Sequence, residues 1–168
     1  MGEIMYIRAL RTLPLILLVL GCSTPGTLPT QQTVDKSRVY TAPYDEVWSA
    51  IIAGIAESNL SITTLEKDSG IVAISNASYD PLWAHEGKRG NVLGVPDQVV
   101  ERTANFNILA NKEGPEQTRV QVNSSLKMQV RYGNGSQAYP FTYQWHKAYS
   151  NGILEQTILN GIARRIQK

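Results

Sequence analysis

Two histidines and one cysteine are the side chains of this sequence best suited to chemistry. His85 stands in Trp83-Ala84-His85-Glu86 and His146 in Gln144-Trp145-His146-Lys147. Neither has a second metal ligand three or four residues away, the spacing that puts two ligands on one helix face. His85 and Glu86 are adjacent, so on a strand they point to opposite sides and cannot serve one nucleophile. A serine hydrolase would need a Gly-x-Ser-x-Gly elbow, and the sequence has none. The run Gly87-Lys88-Arg89-Gly90-Asn91-Val92-Leu93-Gly94 is rich in glycine but lacks the Gly-Lys-Ser/Thr ending that cradles a phosphate. Cys22, being alone, excludes an internal disulfide and a cysteine-based zinc site. The expectation is a protein without catalysis, metal or dissociable cofactor.

Binding is the remaining chemistry. Residues 79–98 show weak periodicity, and a loop of that length is either functional or disordered. It carries Trp83, Lys88, Arg89 and Leu93, the aromatic and cationic types that dominate binding hot spots. These four are the candidate partner-binding residues. A second aromatic group, Tyr139, Phe141, Tyr143 and Trp145, alternates as a strand does. The expectation there is mostly core.

Cys22 has a different setting. Arg8 and Arg11 precede the apolar run Leu13–Leu20, and Gly21-Cys22-Ser23 follows. Basic start, short apolar stretch and small residue are the order of a secretory signal. The run is too short to span about 30 Å of hydrocarbon. The stretch Leu18-Val19-Leu20-Gly21-Cys22 resembles the lipobox of bacterial lipoprotein precursors. That resemblance implies a diacylglycerol on the Cys22 sulfur, cleavage after Gly21, and an N-acyl chain on the new terminus. Two or three acyl chains suffice for stable anchoring, since each buried CH₂ adds about 0.8 kcal/mol. In that family Ser23 implies sorting to the outer membrane, with the protein facing the periplasm.

The 168 residues carry sixteen Lys+Arg against fourteen Asp+Glu. Such a balance lacks the basic stripe a nucleic-acid binder needs. Loss of Arg8, Arg11 and Glu3 with residues 1–21 leaves a nearly neutral chain. Residues 22–37, the lipidated cysteine and then STPGTLPTQQTVDKS, hold no aromatic residue and read as a flexible tether.

The remainder, 38–168, reads as one α+β domain. Arg38-Val39-Tyr40 predicts a strand. Pro43 suits a first helical position, and Val47, Trp48, Ile51, Ile52 and Ile55 form an apolar stripe at helical spacing, with Asn59 as the stop. A hairpin turns at Asp68-Ser69-Gly70, where Gly can take positive φ. Two long alternating segments follow from Val100 and from Arg119, an antiparallel sheet wet on one side. Helices are the available cover for the other side. The last helix, capped by Ser150 or Asn151, bears Leu154, Ile158, Gly161 and Ile162, with Gly161 expected to permit close packing on the sheet.

This order resembles the helix-grip arrangement, a curved antiparallel sheet gripping a long C-terminal helix. More narrowly it is similar to the BamC-like domains of small envelope lipoproteins. The likeness rests on Ala42-Pro43-Tyr44-Asp45-Glu46-Val47-Trp48, Lys67-Asp68-Ser69-Gly70-Ile71-Val72 and Gly152-Ile153-Leu154-Glu155. It implies a scaffold or accessory subunit of an outer-membrane assembly, held by its lipid and bound to other envelope proteins. The alternative is a carrier with an apolar ligand between sheet and helix. Phe106, Leu126, Met128 and Val130 are large enough to fill that space, which favours a packed interior.

Overall fold

The computed structural model describes residues 23–92 and 94–167. The expected signal, Cys22, Leu93 and Lys168 lie outside them. In chain order the elements are β1 (Ser37–Tyr40), α1 (Tyr44–Glu57), β2 (Ile62–Glu66), β3 (Ile71–Ala77), a 3-10 turn (Pro81–Trp83), β4 (Ala84–His85), β5 (Asn91–Val92), β6 (Val95–Pro96), β7 (Gln98–Gly114), β8 (Gln117–Tyr132), β9 (Thr142–Ser150) and α2 (Ile153–Ile166). The chain is α+β, with an antiparallel seven-stranded sheet, one early helix and one C-terminal helix. The strands run β2-β3-β7-β8-β9-β4, and β1 also pairs with β8. β5 and β6 form a separate small hairpin.

The long β7–β8 hairpin is the spine of the sheet. Its even-numbered side chains face inward because a strand alternates with period two. Ala104, Phe106, Ile108 and Ala110 on β7 are buried, as are Val120, Val122, Leu126, Met128 and Val130 on β8. One edge of β8 is shared: β1 pairs with 118–121 and β9 with 126–132.

Two different covers lie over this inner face. Near Phe106 and Ile108 the cover is helical. Val47, Trp48, Ile51 and Ile55 of α1 and Leu154, Leu159 and Ile162 of α2 are buried there. Fully burying one such side chain stabilises by roughly 1.5–3 kcal/mol. Near Met128 and Val130 the cover is the 79–97 segment.

The helix ends follow local chemistry. Pro43 stands just before α1 at φ −60°, a helical value, while its carbonyl accepts from the Val47 N–H at 3.1 Å. Asn59 takes φ +51° just past the end of α1. At α2 the residue before the first turn is Gly152, at φ +93°. Asn151 Oδ1 still accepts from the Ile153 N–H at 3.1 Å, so the expected capping atom is present one residue upstream.

Two expectations need correction. Gly161 does not serve contact with the sheet. Cβ atoms built at Gly54 and Gly161 would meet the Arg165 guanidinium at 3.5 and 3.4 Å, so both glycines make room for that side chain between the helices. Arg165 there donates to the Gly161 carbonyl and to Glu57. The aromatic group from Tyr139 to Trp145 is not core either: Tyr139, Phe141, Tyr143 and Trp145 are all exposed.

Residues 24–36 lie extended against the domain. Thr24 bridges Asn91 and Thr27 bridges Lys88, and the Asp35 carbonyl accepts from Gln156 at 3.2 Å.

Candidate binding face

Tyr143, Trp145 and Lys147 are the odd-numbered residues of β9, and Arg131, Gln129 and Lys127 stand directly opposite them on β8. This row faces away from the helices. The even residues of β9 turn inward: Ala148 is buried, and His146 meets the Tyr132 hydroxyl at 2.6 Å. A sheet buried on one side alternates in this way. The aromatics fell on the side without a cover.

The outer row interleaves aromatic rings with cations. Lys127 Nζ lies 4.8 Å from the Trp145 ring centre, the Arg131 guanidinium carbon 4.6 Å from that of Phe141, and Lys147 Nζ 4.8 Å from that of Tyr149. A cation within about 6 Å of a ring face is attracted by the ring quadrupole. Here the long cationic side chains lie along the rings and hold them in place. The turn between β8 and β9 fixes Phe141 as well. Gly135 adopts φ +79°, and a Cβ there would sit 2.7 Å from the Phe141 ring. The ring rests against bare backbone that only glycine supplies.

Tyr139, Phe141, Tyr143 and Trp145 expose 48, 45, 54 and 45% of their surfaces. Scattered apolar residues on a surface are ordinary, whereas a contiguous aromatic patch marks an interaction site. Tyr, Trp and Arg are the residues that contribute most to protein interfaces.

The loop candidates are placed differently. Trp83 is half-buried against the core. Arg89 Nη2 donates to Glu86 Oε2 at 2.7 Å and lies 3.2 Å from Met128 Sδ. Lys88 has an exposed side chain, and its main chain pairs with Thr27. Leu93 is outside the described residues. The loop thus spends its aromatic and its guanidinium inward, and the free aromatic–cation pair expected from the sequence is not there. Its centre is Glu86, whose side chain is 11% exposed. Arg102 Nε and Nη2 donate to its two oxygens at 2.7 and 2.9 Å, and the Tyr79 hydroxyl donates to Oε1 at 3.0 Å. Burial, and then the Glu86 charge, raise the Tyr79 hydroxyl well above the usual phenol range. The group is internally satisfied: two guanidiniums and one phenol donate to a single carboxylate.

His85, on β4, has a buried Nε2 without a hydrogen-bond partner. Among the described residues no serine or threonine hydroxyl bonds either imidazole, and no three His, Cys, Asp or Glu side chains gather as a metal site would require. No helix among them is long and apolar enough to cross a membrane.

No protein-family model matches the chain, and no curated protein is similar to it in sequence. The outer face of β8 and β9 therefore stands on its geometry.

Proposed function

We propose that this chain is a non-enzymatic, lipid-anchored envelope protein, a scaffold or accessory subunit of an outer-membrane assembly, that docks another envelope protein on the outer face of β8 and β9. The supporting observation is the ordered, exposed row of Tyr143, Trp145 and Phe141 with Lys127 and Arg131 laid along it. The anchoring half of the proposal rests on the likeness of Leu18–Cys22 to a lipobox, and the envelope setting on the likeness to BamC-like domains. The apolar-ligand carrier is the weaker reading. The space between the helices and the sheet, bounded by Ile51, Ile55, Phe106 and Ile162, is about 180 Å³, below the roughly 300–1,000 Å³ of small-molecule pockets.

The test is photo-crosslinking in cells with a benzophenone amino acid at Tyr143 or at Trp145, and at Asn107 as an outer-face control on β7. The expected result is a discrete adduct from Tyr143 and Trp145 and none from Asn107. Absence of any adduct from the β9 positions, with the protein normally abundant, overturns the docking role. Acyl labelling tests the anchor separately: Cys22→Ser should abolish it.

A further inference from the structure

We infer that the open edge of β9 takes an extended, acidic segment of a partner protein as an added strand. The inference deepens the docking role proposed above and rests on it.

The edge is available. β9 pairs with β8 on one side along Thr142–Ala148, while β4 covers the other side only at Tyr149 and Ser150. Among the described residues, no main-chain group of 142–148 bonds to anything but β8. Alternate N–H and C=O groups of an edge strand point outward, ready to template another chain.

The first four residues of the edge are also unprotected. Proteins blunt exposed edges with proline, bulges or charged side chains. From Thr142 to Trp145 β9 has no proline and no charge. Its pairing with β8 runs without a register shift. Thr, Tyr and Trp all favour strands. An edge of this kind is a hazard unless something occupies it.

Charge selects the occupant. An added strand would lie about 4.8 Å from β9, with its outward side chains beside Tyr143, Trp145 and Lys147. Arg131 and Lys127 flank that row on β8, and the nearest outer-face carboxylate, Glu101, lies one strand further, on β7 opposite Gln129. Carboxylates alternating with apolar residues match this face; lysines do not. A second copy of the chain would bring another cationic row, not carboxylates, to this edge. A lipid surface fits less well, because Gly26–Pro29 lie on the opposite, inner side of the sheet beside Met128 and Val130.

The experiment uses the full lipidated protein in detergent micelles and a random peptide library displayed on phage. The expected result is enrichment of acidic, proline-free peptides that slow amide exchange at alternate residues of Thr142–Ala148. Lys147→Glu should weaken the best peptide about tenfold at low salt, and proline at the centre of that peptide should abolish binding. No enrichment, enrichment without an acidic excess, or protection elsewhere overturns the inference. Protection of the same amides without peptide, together with a dimer in sedimentation, overturns it in favour of a second copy. Adducts from Tyr143 in cells without edge protection by any peptide leave the docking role standing and remove strand addition; loss of both removes both.

Discussion

Ser124 Oγ donates to Glu155 Oε1 at 2.6 Å, tying the middle of β8 to the first turn of α2. Glu155 is fully buried, and its other oxygen accepts from Ser150 Oγ at 2.5 Å. The first turn of a helix favours a carboxylate, because the free N–H groups there carry partial positive charge. Ser124 occupies an inward position between Val122 and Leu126, so a polar side chain interrupts an apolar row where a partner meets it. Removing either hydroxyl leaves one oxygen of a buried carboxylate without its donor. Ser124→Ala and Ser150→Ala should each destabilise by about 1–3 kcal/mol, and Glu155→Ala by more, since it orphans both hydroxyls and opens a cavity. Urea titration checks this; a loss below about 0.5 kcal/mol, the scale of an ordinary surface change, would count against the account.

Gly70 ends the β2–β3 turn at φ +68°, and a Cβ there would lie 2.0 Å from the Ala110 carbonyl oxygen. That same contact line holds the turn to β7, for the Ala110 N–H donates to the Gly70 carbonyl at 2.8 Å. Gly70→Ala therefore combines an unfavourable backbone region with a collision against main chain. The expected loss is about 2 kcal/mol or more, at the upper end of what backbone strain costs, seen as a lower thermal midpoint. An unchanged midpoint would mean that the turn can shift off β7.

Tyr40 sets an alkaline limit. Its hydroxyl donates to the Leu159 carbonyl at 2.7 Å, and burial pushes its pKa from 10.0 up to about 12. The folded state thus keeps a proton that the unfolded chain releases first. The stability tied to that proton is complete below pH 10 and is lost as pH rises toward 12, by about 1.4 kcal/mol per unit of pKa difference. Tyr40→Phe should start about 1 kcal/mol less stable for want of the hydrogen bond. It should then decline less steeply in that window, with Tyr79, Tyr44 and Tyr132, whose hydroxyls burial also raises, contributing to the remaining slope. Equal slopes in guanidinium titrations at pH 9 through 11.5 would refute the assignment.

The two tryptophans Trp83 and Trp145 should separate folding from docking. Trp83 packs against the core beside Ala84, whereas Trp145 stands on the outer face. Trp83→Ala should lower the thermal midpoint by several degrees, corresponding to about 2 kcal/mol. Trp145→Ser should move it little while removing the crosslinked adduct. The reverse pattern would return the binding role to the 79–98 loop.

Much of the fold could be read from the chain because its patterns are local. The Val47–Ile55 stripe named α1, Asp68-Ser69-Gly70 named the β2–β3 turn, and the alternation from Val100 and from Arg119 named the β7–β8 hairpin. The candidate face could not be read in that way. Alternation in Tyr139–Trp145 shows that a strand has two faces but not which one the helices cover. That choice depends on register with β8, where Trp145 falls opposite Gln129 and His146 opposite Met128. The polar partners of the aromatics, Arg131, Gln129 and Lys127, carry the signal: they alternate with Leu126, Met128 and Val130, which marks their side of β8 as the wet one. Glu86 gave no signal, since its partners Tyr79, Arg89 and Arg102 meet only when the loop folds back over β8.

Arg38, at the start of the domain, donates to Asn160 at 2.9 Å and to Gln156 at 3.0 Å, near its end. Tyr40 likewise reaches Leu159. The first strand and the last helix thus support each other across the whole length of the domain. A growing chain can zip the β7–β8 hairpin early, because its two strands are neighbours in sequence. It cannot close its core until α2 has been made, so every shorter chain leaves the inner face near Val122 open to water. The closing contacts of the domain are therefore made by the part of the chain that is synthesised last.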